Sequence, residues 1–175
     1  TNWGQKSLAV SNDIKDYLTQ NYHVPEQNVL VTINGIDTTA FSSKAMDPTL
    51  EKELGLRPDA QRILLLGRMN TDAAAGYAAK MMELYPTLRQ KHPHLQFILV
   101  GDGPLFPQLK AQAEQVNQNC GAGSIVMTGA RTDIPRLLNA AHGVVALSRA
   151  ALEAMSCERP VILAGSYGYL GLFDE

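Results

Sequence analysis

The sequence predicts an α/β protein built mainly on a doubly wound parallel sheet. From Arg62 to Leu163, short aliphatic runs alternate with segments of helical periodicity. Strands that are buried on both faces of a parallel sheet have this continuous apolar character. Five such strands, alternating with helices, favour right-handed crossovers with helices on both faces of one sheet. A small α/β unit is predicted to precede this sheet.

Length and composition limit the possible functions. The chain has 175 residues, 45% of them hydrophobic, which suffices for one ordinary core and a small second unit. A net charge of −2 without a basic run argues against a nucleic-acid partner. No apolar segment approaches the roughly 20 residues of a membrane span, and the N-terminus does not have the pattern of a signal peptide. Because Cys120 and Cys157 lack a zinc spacing, we expect free thiols and a cytoplasmic location.

The chain is predicted to divide into three regions. They are a small α/β unit at 1–37, a hinge or linker at 38–61, and the large sheet domain at 62–175. The first unit has predicted strands at 8–10 and 28–33 around a helix at 12–21. The middle region mixes serine, threonine, aspartate and proline around one short helical piece, LEKELGL, and such mixtures are typical of connecting segments.

The elements of the large domain follow from the same pattern. Its strands are predicted at 63–66, 97–100, 124–127, 144–147 and 161–163. Thr71 and Asp133 are predicted to cap the helices after the first and third strands. Pro86 should kink or split the first helix because it lacks the N–H of the hydrogen-bond ladder.

Ligands of such sheets bind beyond the carboxyl ends of the strands, near the point where the strand order reverses. Four turns are therefore candidate parts of a site: Gly67-Arg68, 101–104, 128–132 and 148–153. The turn at 101–104 lacks the third glycine of a dinucleotide fingerprint, which favours a plain connection there. The loop Gly129-Ala130-Arg131-Thr132 can present backbone groups to a base, although a solvated loop would have the same sequence.

Groups in two of these turns can hold a phosphate. Gly67 would let a ligand approach the backbone while Arg68 offers paired donors. The alternative is a surface arginine after a strand. Ser148 is a suitable N-cap, and the small Ala150 and Ala151 leave room for an anion at the helix start. A serine-capped, alanine-rich helix without a ligand fits the same residues.

Glu153 is the sharpest single candidate. In the second turn of this helix its carboxylate can accept two hydrogen bonds from vicinal hydroxyls such as a ribose diol. An ordinary exposed helical glutamate is the alternative. Arg149 can pair with a phosphate or with Glu153. The four histidines lack metal-ligand spacing, and Ser148 lacks the glycines of a nucleophile elbow, so the residues identify no metal site and no catalytic residue.

Six stretches, in order, resemble the donor-binding half of GT-B glycosyltransferases, specifically the retaining family 4 (glycosyl transferases group 1). They are VSNDIKDYL, VTINGID, ILLLGRM, FILVGDGPLFPQLK, IVMTGARTDI and LEAMSCERPVILAG. Together they cover nearly the whole chain at about the family's spacing. On this resemblance the large sheet is Rossmann-like.

The resemblance implies that the domain holds a nucleoside-diphosphate sugar, with UDP favoured, and needs neither a metal nor a tightly bound cofactor. It assigns the diphosphate to Gly67, Arg68, Ser148, Arg149, Ala150 and Ala151, the base to Gly129, Arg131 and Thr132, and the ribose to Glu153. The sugar would pass to an acceptor with retained configuration, helped mainly by electrostatic stabilisation of the departing diphosphate.

Two departures from the family pattern leave other functions open. No lysine lies between Arg68 and Lys80, and the EGFGL-type insert before the LEAM helix is missing. The chain is similar to a subgroup with a G-R-A-x-L-E-A-M pattern, in which residues 167–171 would form a loop that meets the donor. The alternatives are a non-catalytic nucleotide or nucleotide-sugar binding module, and a nucleotide-sugar epimerase or glycosyl phosphorylase of the same fold.

The resemblance also implies a larger context. Residues 1–37 correspond to the last unit of an acceptor-binding domain whose remainder is missing, and further sheet and helices would follow Glu175. We expect a piece of a longer hexosyltransferase of cell-envelope polysaccharide synthesis, with room for peripheral membrane association through that parent. The piece alone should bind a donor weakly and transfer nothing.

Overall fold

The computed structural model describes residues 4–70, 73–165 and 168–173. These residues divide into two compact units, one that ends at Ile36 and one that begins at Asp37.

The smaller unit is a single strand–helix–strand crossover. β1 (Ser7–Ala9) and β2 (Val29–Val31) pair in parallel, and α1 (Asn12–Tyr22) connects them. The Ser11 hydroxyl caps α1 by accepting the N–H of Ile14 at 3.2 Å. The predicted elements are therefore present. None of the residues of α1, all of which the structure describes, is buried.

Much of the predicted linker packs on the larger unit. It contains α2 (Thr49–Leu54), whose Leu50 is fully buried in the core. Its preceding stretch is held by Asn139, whose side-chain oxygen accepts the N–H of Lys44 at 2.9 Å. Burial of one apolar helix face explains why this segment is not an extended linker. A hinge role for residues 38–61 stays a prediction.

The larger unit contains a six-stranded sheet in the order β5-β4-β3-β6-β7-β8. The strands are β3 (Gln61–Leu66), β4 (Leu95–Val100), β5 (Ile125–Gly129), β6 (Gly143–Ala146), β7 (Val161–Gly165) and β8 (Gly168–Phe173). The first five are parallel, and β8 runs antiparallel to β7. The doubly wound parallel sheet is thus confirmed, and its strand order reverses between β3 and β6.

Helices cover both faces of this sheet. They are α3 (Ala73–Lys91), α4 (Phe106–Cys120), α5 (Ile134–Ala140) and α6 (Arg149–Ser156). Successive strand residues point to opposite faces. Leu64 therefore joins a core with residues of α2, α5 and α6, while Leu65 joins a second core with residues of α3 and α4.

Two helix predictions need correction. α3 continues through Pro86, so the predicted split is wrong, whereas a kink at this residue stays a prediction. The adjacent Tyr85 is fully buried and donates its hydroxyl to the Leu95 carbonyl at 2.7 Å, which anchors that turn. Asp133 precedes α5, but its side chain makes no capping bond, because Arg131 binds both carboxylate oxygens. Thr71, the other predicted cap, lies outside the described residues.

The predicted donor loop at 167–171 is also different. Tyr167 lies outside the described residues, but residues 168–171 belong to β8, with Gly171 opposite Leu163 and Gly168 opposite Gly165. The sheet therefore has six strands, not five. The loop was expected from the family resemblance, and the two glycines, which are unfavourable in strands, gave no indication of a strand.

Candidate functional site

A cleft of about 380 Å³ opens at the carboxyl ends of β3, β6 and β7. Its lining includes Gly67 and Arg68 after β3, residues 145–150 around the end of β6, and Gly165 of β7. This is the point at which the strand order reverses, where sheets of this type bind ligands.

Close packing of the backbone shapes the β3 side of the cleft. A Cβ on Gly67 would lie 2.6 Å from the Cβ of Ala74 in α3, and a Cβ on Gly101 would lie 1.8 Å from the Gly67 carbonyl oxygen. The turn after β4 is tied to the same place, since the Met69 N–H donates to the Asp102 carbonyl at 2.9 Å. Gly67 thus has a packing role besides any approach of a ligand.

Arg68 is an exposed side chain on the wall of the cleft. It has no ion pair or hydrogen bond to any residue within 4–70, 73–165 and 168–173. A guanidinium in this state keeps its planar set of donors for an anion from solution.

Ser148 begins α6 in an unusual conformation. Its φ is 56° and its ψ is −132°, and its side chain makes no capping bond. The predicted side-chain cap is therefore wrong, because a capping serine needs an extended backbone. Its carbonyl still accepts the Ala151 N–H at 3.1 Å. The first N–H groups of α6 have no intrahelical acceptor, and Arg149 and Ala150 lie on the cleft wall.

Arg149 and Glu153 form an ion pair on α6. The Arg149 Nε donates to Glu153 Oε1 at 2.9 Å. Glu153 is only 9% exposed, so the alternative of an ordinary exposed glutamate is wrong. Of the two roles considered for Arg149, the structure shows the pairing with Glu153. Glu153 and the buried Ala151 lie beyond the residues that line the cleft.

The loop at 129–132 lies away from the cleft, because β4 separates β5 from β3. Gly129 is left-handed with φ 72°, and its carbonyl accepts the Gly101 N–H at 3.0 Å. Thr132 is exposed, whereas the Arg131 guanidinium is paired with Asp133 and with Glu53 of α2. The structure thus brings only part of the predicted site together.

Arg131 belongs to a cluster that we call the acid–arginine network. Its members are Asp47, Glu53, Arg131, Asp133 and Arg136. Arg136 contacts Asp47 Oδ2 and Glu53 Oε2, both at 2.6 Å. Bonds from the Thr49 hydroxyl and N–H, followed by one from Arg136, lower the pKa of Asp47 to about 2. Arg136 and Arg131 likewise lower the pKa of Glu53.

Sequence reasoning missed several parts of the cleft. Asn70 and Tyr77 also line it. So does Gly165, where a Cβ would lie 2.0 Å from a methyl of Leu147. A glycine at the end of a buried strand was the available signal for the last of these.

The described residues contain neither a metal-binding cluster nor a membrane-spanning helix. No group of three or more histidine, cysteine, aspartate or glutamate side chains is placed to hold a metal ion. No helix there combines the length and apolar character needed to cross a membrane.

A doubly wound parallel sheet with a cleft at its reversal point is typical of α/β domains that bind ligands at the carboxyl ends of their strands. Comparison identifies the family. Residues 60–170, more than half of the chain, match the family model of glycosyl transferases group 1. The chain belongs to this family, which confirms the resemblance that the sequence motifs indicated.

Several known glycosyltransferases are similar to this chain in sequence or in fold. The uncharacterized glycosyltransferase MJ1607 of Methanocaldococcus jannaschii is 23% identical over 96% of this chain and 44% of its own length. The crystal structure of Anabaena HepE with UDP and glucose has a TM-score of 0.66 at 24% identity, over 92% of this chain and 44% of that one. A Rickettsia africae glycosyltransferase has a TM-score of 0.68 at 20% identity, over 90% and 44%. The sheet is that of GT-B glycosyltransferases, and the chain spans less than half of the length of these relatives.

Proposed function

We propose that this chain is the donor-binding domain of a retaining glycosyltransferase that uses a nucleoside-diphosphate sugar. The observation that carries this proposal is the cleft at the reversal point. Its walls include the start of α6 and Arg68, which has no ion pair with another described residue. Membership of the family supports it. Anabaena HepE, with which this chain shares its fold, has been crystallised with UDP and with UDP-glucose, which favours UDP as the nucleotide.

The diphosphate would lie between Arg68 and the start of α6. Arg68 supplies a bidentate charged donor, and the N–H groups of Arg149 and Ala150 add the positive end of the helix dipole. The Ser148 hydroxyl, which does not cap the helix, is one more donor. These groups stabilise the negative charge that develops on the leaving diphosphate, which is the main contribution that such a site makes to transfer.

The nucleoside would extend from this point across the sheet. Neighbouring strands lie about 4.8 Å apart, so the ends of β3 and β5 are about 10 Å apart across the sheet. A nucleotide can span that distance, which allows the Gly129 to Thr132 backbone to meet the base. Glu153 would accept the ribose hydroxyls. Since Arg131 is held by Asp133 and Glu53, we assign it to positioning this loop.

We further propose roles for residues 1–61 and a type of reaction for the whole protein. On this proposal residues 1–37 are the last unit of its acceptor-binding domain, 38–61 are the hinge, and the reaction transfers a hexose without a metal. A cytoplasmic enzyme of cell-envelope polysaccharide synthesis, peripherally bound to a membrane through its other domain, fits the same scheme.

A specific observation favours a second candidate, a non-catalytic nucleotide-sugar binding module. Lys80 is the first lysine after Arg68. Its Nζ pairs with Glu83 at the surface, 2.9 Å from Oε1, and it is not among the cleft residues. One cation of the family site is therefore missing. Assaying the full-length protein on a panel of sugar nucleotides separates the two, because only the transferase releases the nucleoside diphosphate when an acceptor is present.

Calorimetric titration of the chain with UDP, GDP and ADP tests the donor site. We expect UDP to bind most tightly, and Glu153→Ala to weaken it by about 1–3 kcal/mol, the usual cost of lost hydrogen bonds to a charged group. Lys80→Met is the control outside the cleft and should bind as the unmodified chain does. Absence of binding by all three nucleotides at millimolar concentration, with an intact fold by circular dichroism, would contradict the proposal.

A further inference from the structure

The ion pair between Arg149 and Glu153 joins the two proposed halves of the donor site. Arg149 lies on the wall of the cleft where the diphosphate would bind, and Glu153 is the proposed ribose acceptor. On the basis of the proposed function, we propose that Arg149 acts as a latch. Its guanidinium pairs with the Glu153 carboxylate when the cleft is empty and moves to the diphosphate when a donor binds.

Burial makes Glu153 depend on a partner. Its side chain is 12% exposed, and a carboxylate withdrawn from water is costly unless it is paired. Arg149 is the one residue, among those described, that bonds to this carboxylate. A vicinal diol binds best to both oxygens at once, and the guanidinium already occupies Oε1. Arg149 and the ribose therefore compete for the same group.

Exposure allows Arg149 to change partners. Its side chain is 65% exposed, so its guanidinium is already largely in water and can exchange the Glu153 carboxylate for another anion without being desolvated first. The side chain is long and has the donors that suit a phosphate. With Arg68 on the same cleft, two guanidinium groups would face the several negative charges of a diphosphate. The anion is thus the stronger attraction for Arg149.

The two steps are then coupled. When the diphosphate draws Arg149 away, Glu153 is released for the ribose hydroxyls, so each half of the ligand favours binding of the other. A nucleoside without phosphates lacks this help, so its own binding free energy must break the ion pair between Arg149 and Glu153. The latch therefore favours nucleoside diphosphates over nucleosides by a mechanism additional to direct phosphate contacts.

The test measures uridine binding by NMR titration with and without saturating inorganic pyrophosphate. Pyrophosphate should tighten uridine binding about two- to fivefold, the range set by a half-exposed ion pair. In Arg149→Met, uridine should bind tighter by a similar factor without pyrophosphate, pyrophosphate should bind more weakly, and the coupling should disappear. Glu153→Gln should also remove the coupling.

Two control variants separate the latch from a general effect of charge. Arg68→Met should weaken pyrophosphate binding without tightening uridine, because Arg68 does not contact Glu153. Lys80→Met removes a cation from the Lys80–Glu83 pair, outside the cleft, and should change neither affinity. Thermal melting of each variant verifies the fold.

The outcomes distinguish the two proposals. If the unmodified chain binds UDP but Arg149→Met binds uridine no better than before, or if uridine is undetectable in both, the latch is wrong and Arg149 is at most a phosphate ligand. If the unmodified chain binds no nucleoside diphosphate, the donor site itself is wrong.

Discussion

Arginines follow three strands of the same sheet, and those at the reversal point differ in role from those at the far side. At the reversal point, the cleft arginines Arg68 and Arg149 are exposed, and only Arg149 has an ion pair within the described residues, with Glu153. At the far side, the network arginines Arg131 and Arg136 are each bound by carboxylates of Asp133 and Glu53.

The difference lies in the surrounding acids. Carboxylates from α2 and from the start of α5 take up the donors of the network arginines, which then hold one part of the protein to another. Among residues 4–70, 73–165 and 168–173, no acid pairs with Arg68. An arginine at the carboxyl end of a strand thus indicates an anion site only when its own chain leaves its donors unused.

The first prediction uses the cleft side of this comparison. Arg68→Met should weaken UDP binding by about 10- to 100-fold, because one charged hydrogen-bonding group is worth roughly 1.5–3 kcal/mol, and should leave the melting temperature unchanged. Calorimetry and thermal melting measure the two quantities. A variant that melts much lower but binds UDP normally would place Arg68 with the network arginines.

The second prediction uses the network side. Arg136→Met should lower the melting temperature by a few degrees, because Asp47 and Glu53 lose their shared cation. UDP affinity should stay within about twofold, since Arg136 is not a cleft residue and additive behaviour is expected of separate sites. Differential scanning calorimetry with the same UDP titration checks both. A large loss of UDP affinity with an unchanged melting temperature would show that Arg136 serves the ligand and would contradict the distinction between cleft arginines and network arginines.

The sheet could be predicted because its pattern is local. Continuous aliphatic runs predicted β3, β4 and β6. Gly121 ends α4 as expected, and its N–H donates to the Asn117 carbonyl at 3.0 Å. β8 was not predicted, because its glycines are unfavourable in strands. At Pro86 local propensity predicted an interruption of the helix, but α3 continues there and the neighbouring Tyr85 is packed in the core.

The site was harder to predict because it depends on distant partners. Arg68 and Arg131 have equivalent places after their strands, and the sequence alone assigned both to the donor. Their roles differ because Arg131 donates to Glu53, a residue 78 positions earlier in the chain. The burial of Glu153 likewise depends on how α6 packs on the sheet, which helical periodicity alone does not specify.

The third prediction follows from the pKa values in the network. The folded state lowers the pKa of Asp47 to about 2 and lowers those of Glu53 and Asp133. Such groups stabilise the fold above their unfolded pKa of roughly 4 and lose this effect as the pH falls through the folded values.

The melting temperatures of the unmodified chain and Arg136→Met should therefore differ by a constant amount from pH 7 to about pH 5 and converge between about pH 4 and pH 2. Thermal melts at a series of pH values measure this. Arg68→Met, on the cleft side, should show no such convergence. A gap that stays constant down to pH 2 would mean that the network carboxylates are not stabilised by Arg136.

The smallest predicted effect extends the comparison to the opposite end of β3, where a histidine accepts a backbone hydrogen bond. The Arg62 N–H donates to His142 Nδ1 at 3.0 Å. Partial desolvation of the ring, and then the charges of Arg62 and Arg159, lower the pKa of His142. The folded state thus favours the neutral ring, whose contribution is present above an unfolded pKa of about 6.5 and is lost as the pH falls through the lower folded value.

His142→Gln keeps a possible acceptor but does not titrate. From pH 7 to pH 5 the unmodified chain should lose a degree or two of melting temperature relative to this variant, with UDP affinity unchanged. His94, which pairs with Asp59 at 2.6 Å, is present in both proteins, so the difference between them isolates His142. Parallel melting curves over this range would show that the strand end tolerates a charged ring. A change in UDP affinity would instead connect this end of β3 to the cleft and remove the separation between anion-binding and structural ends of the sheet.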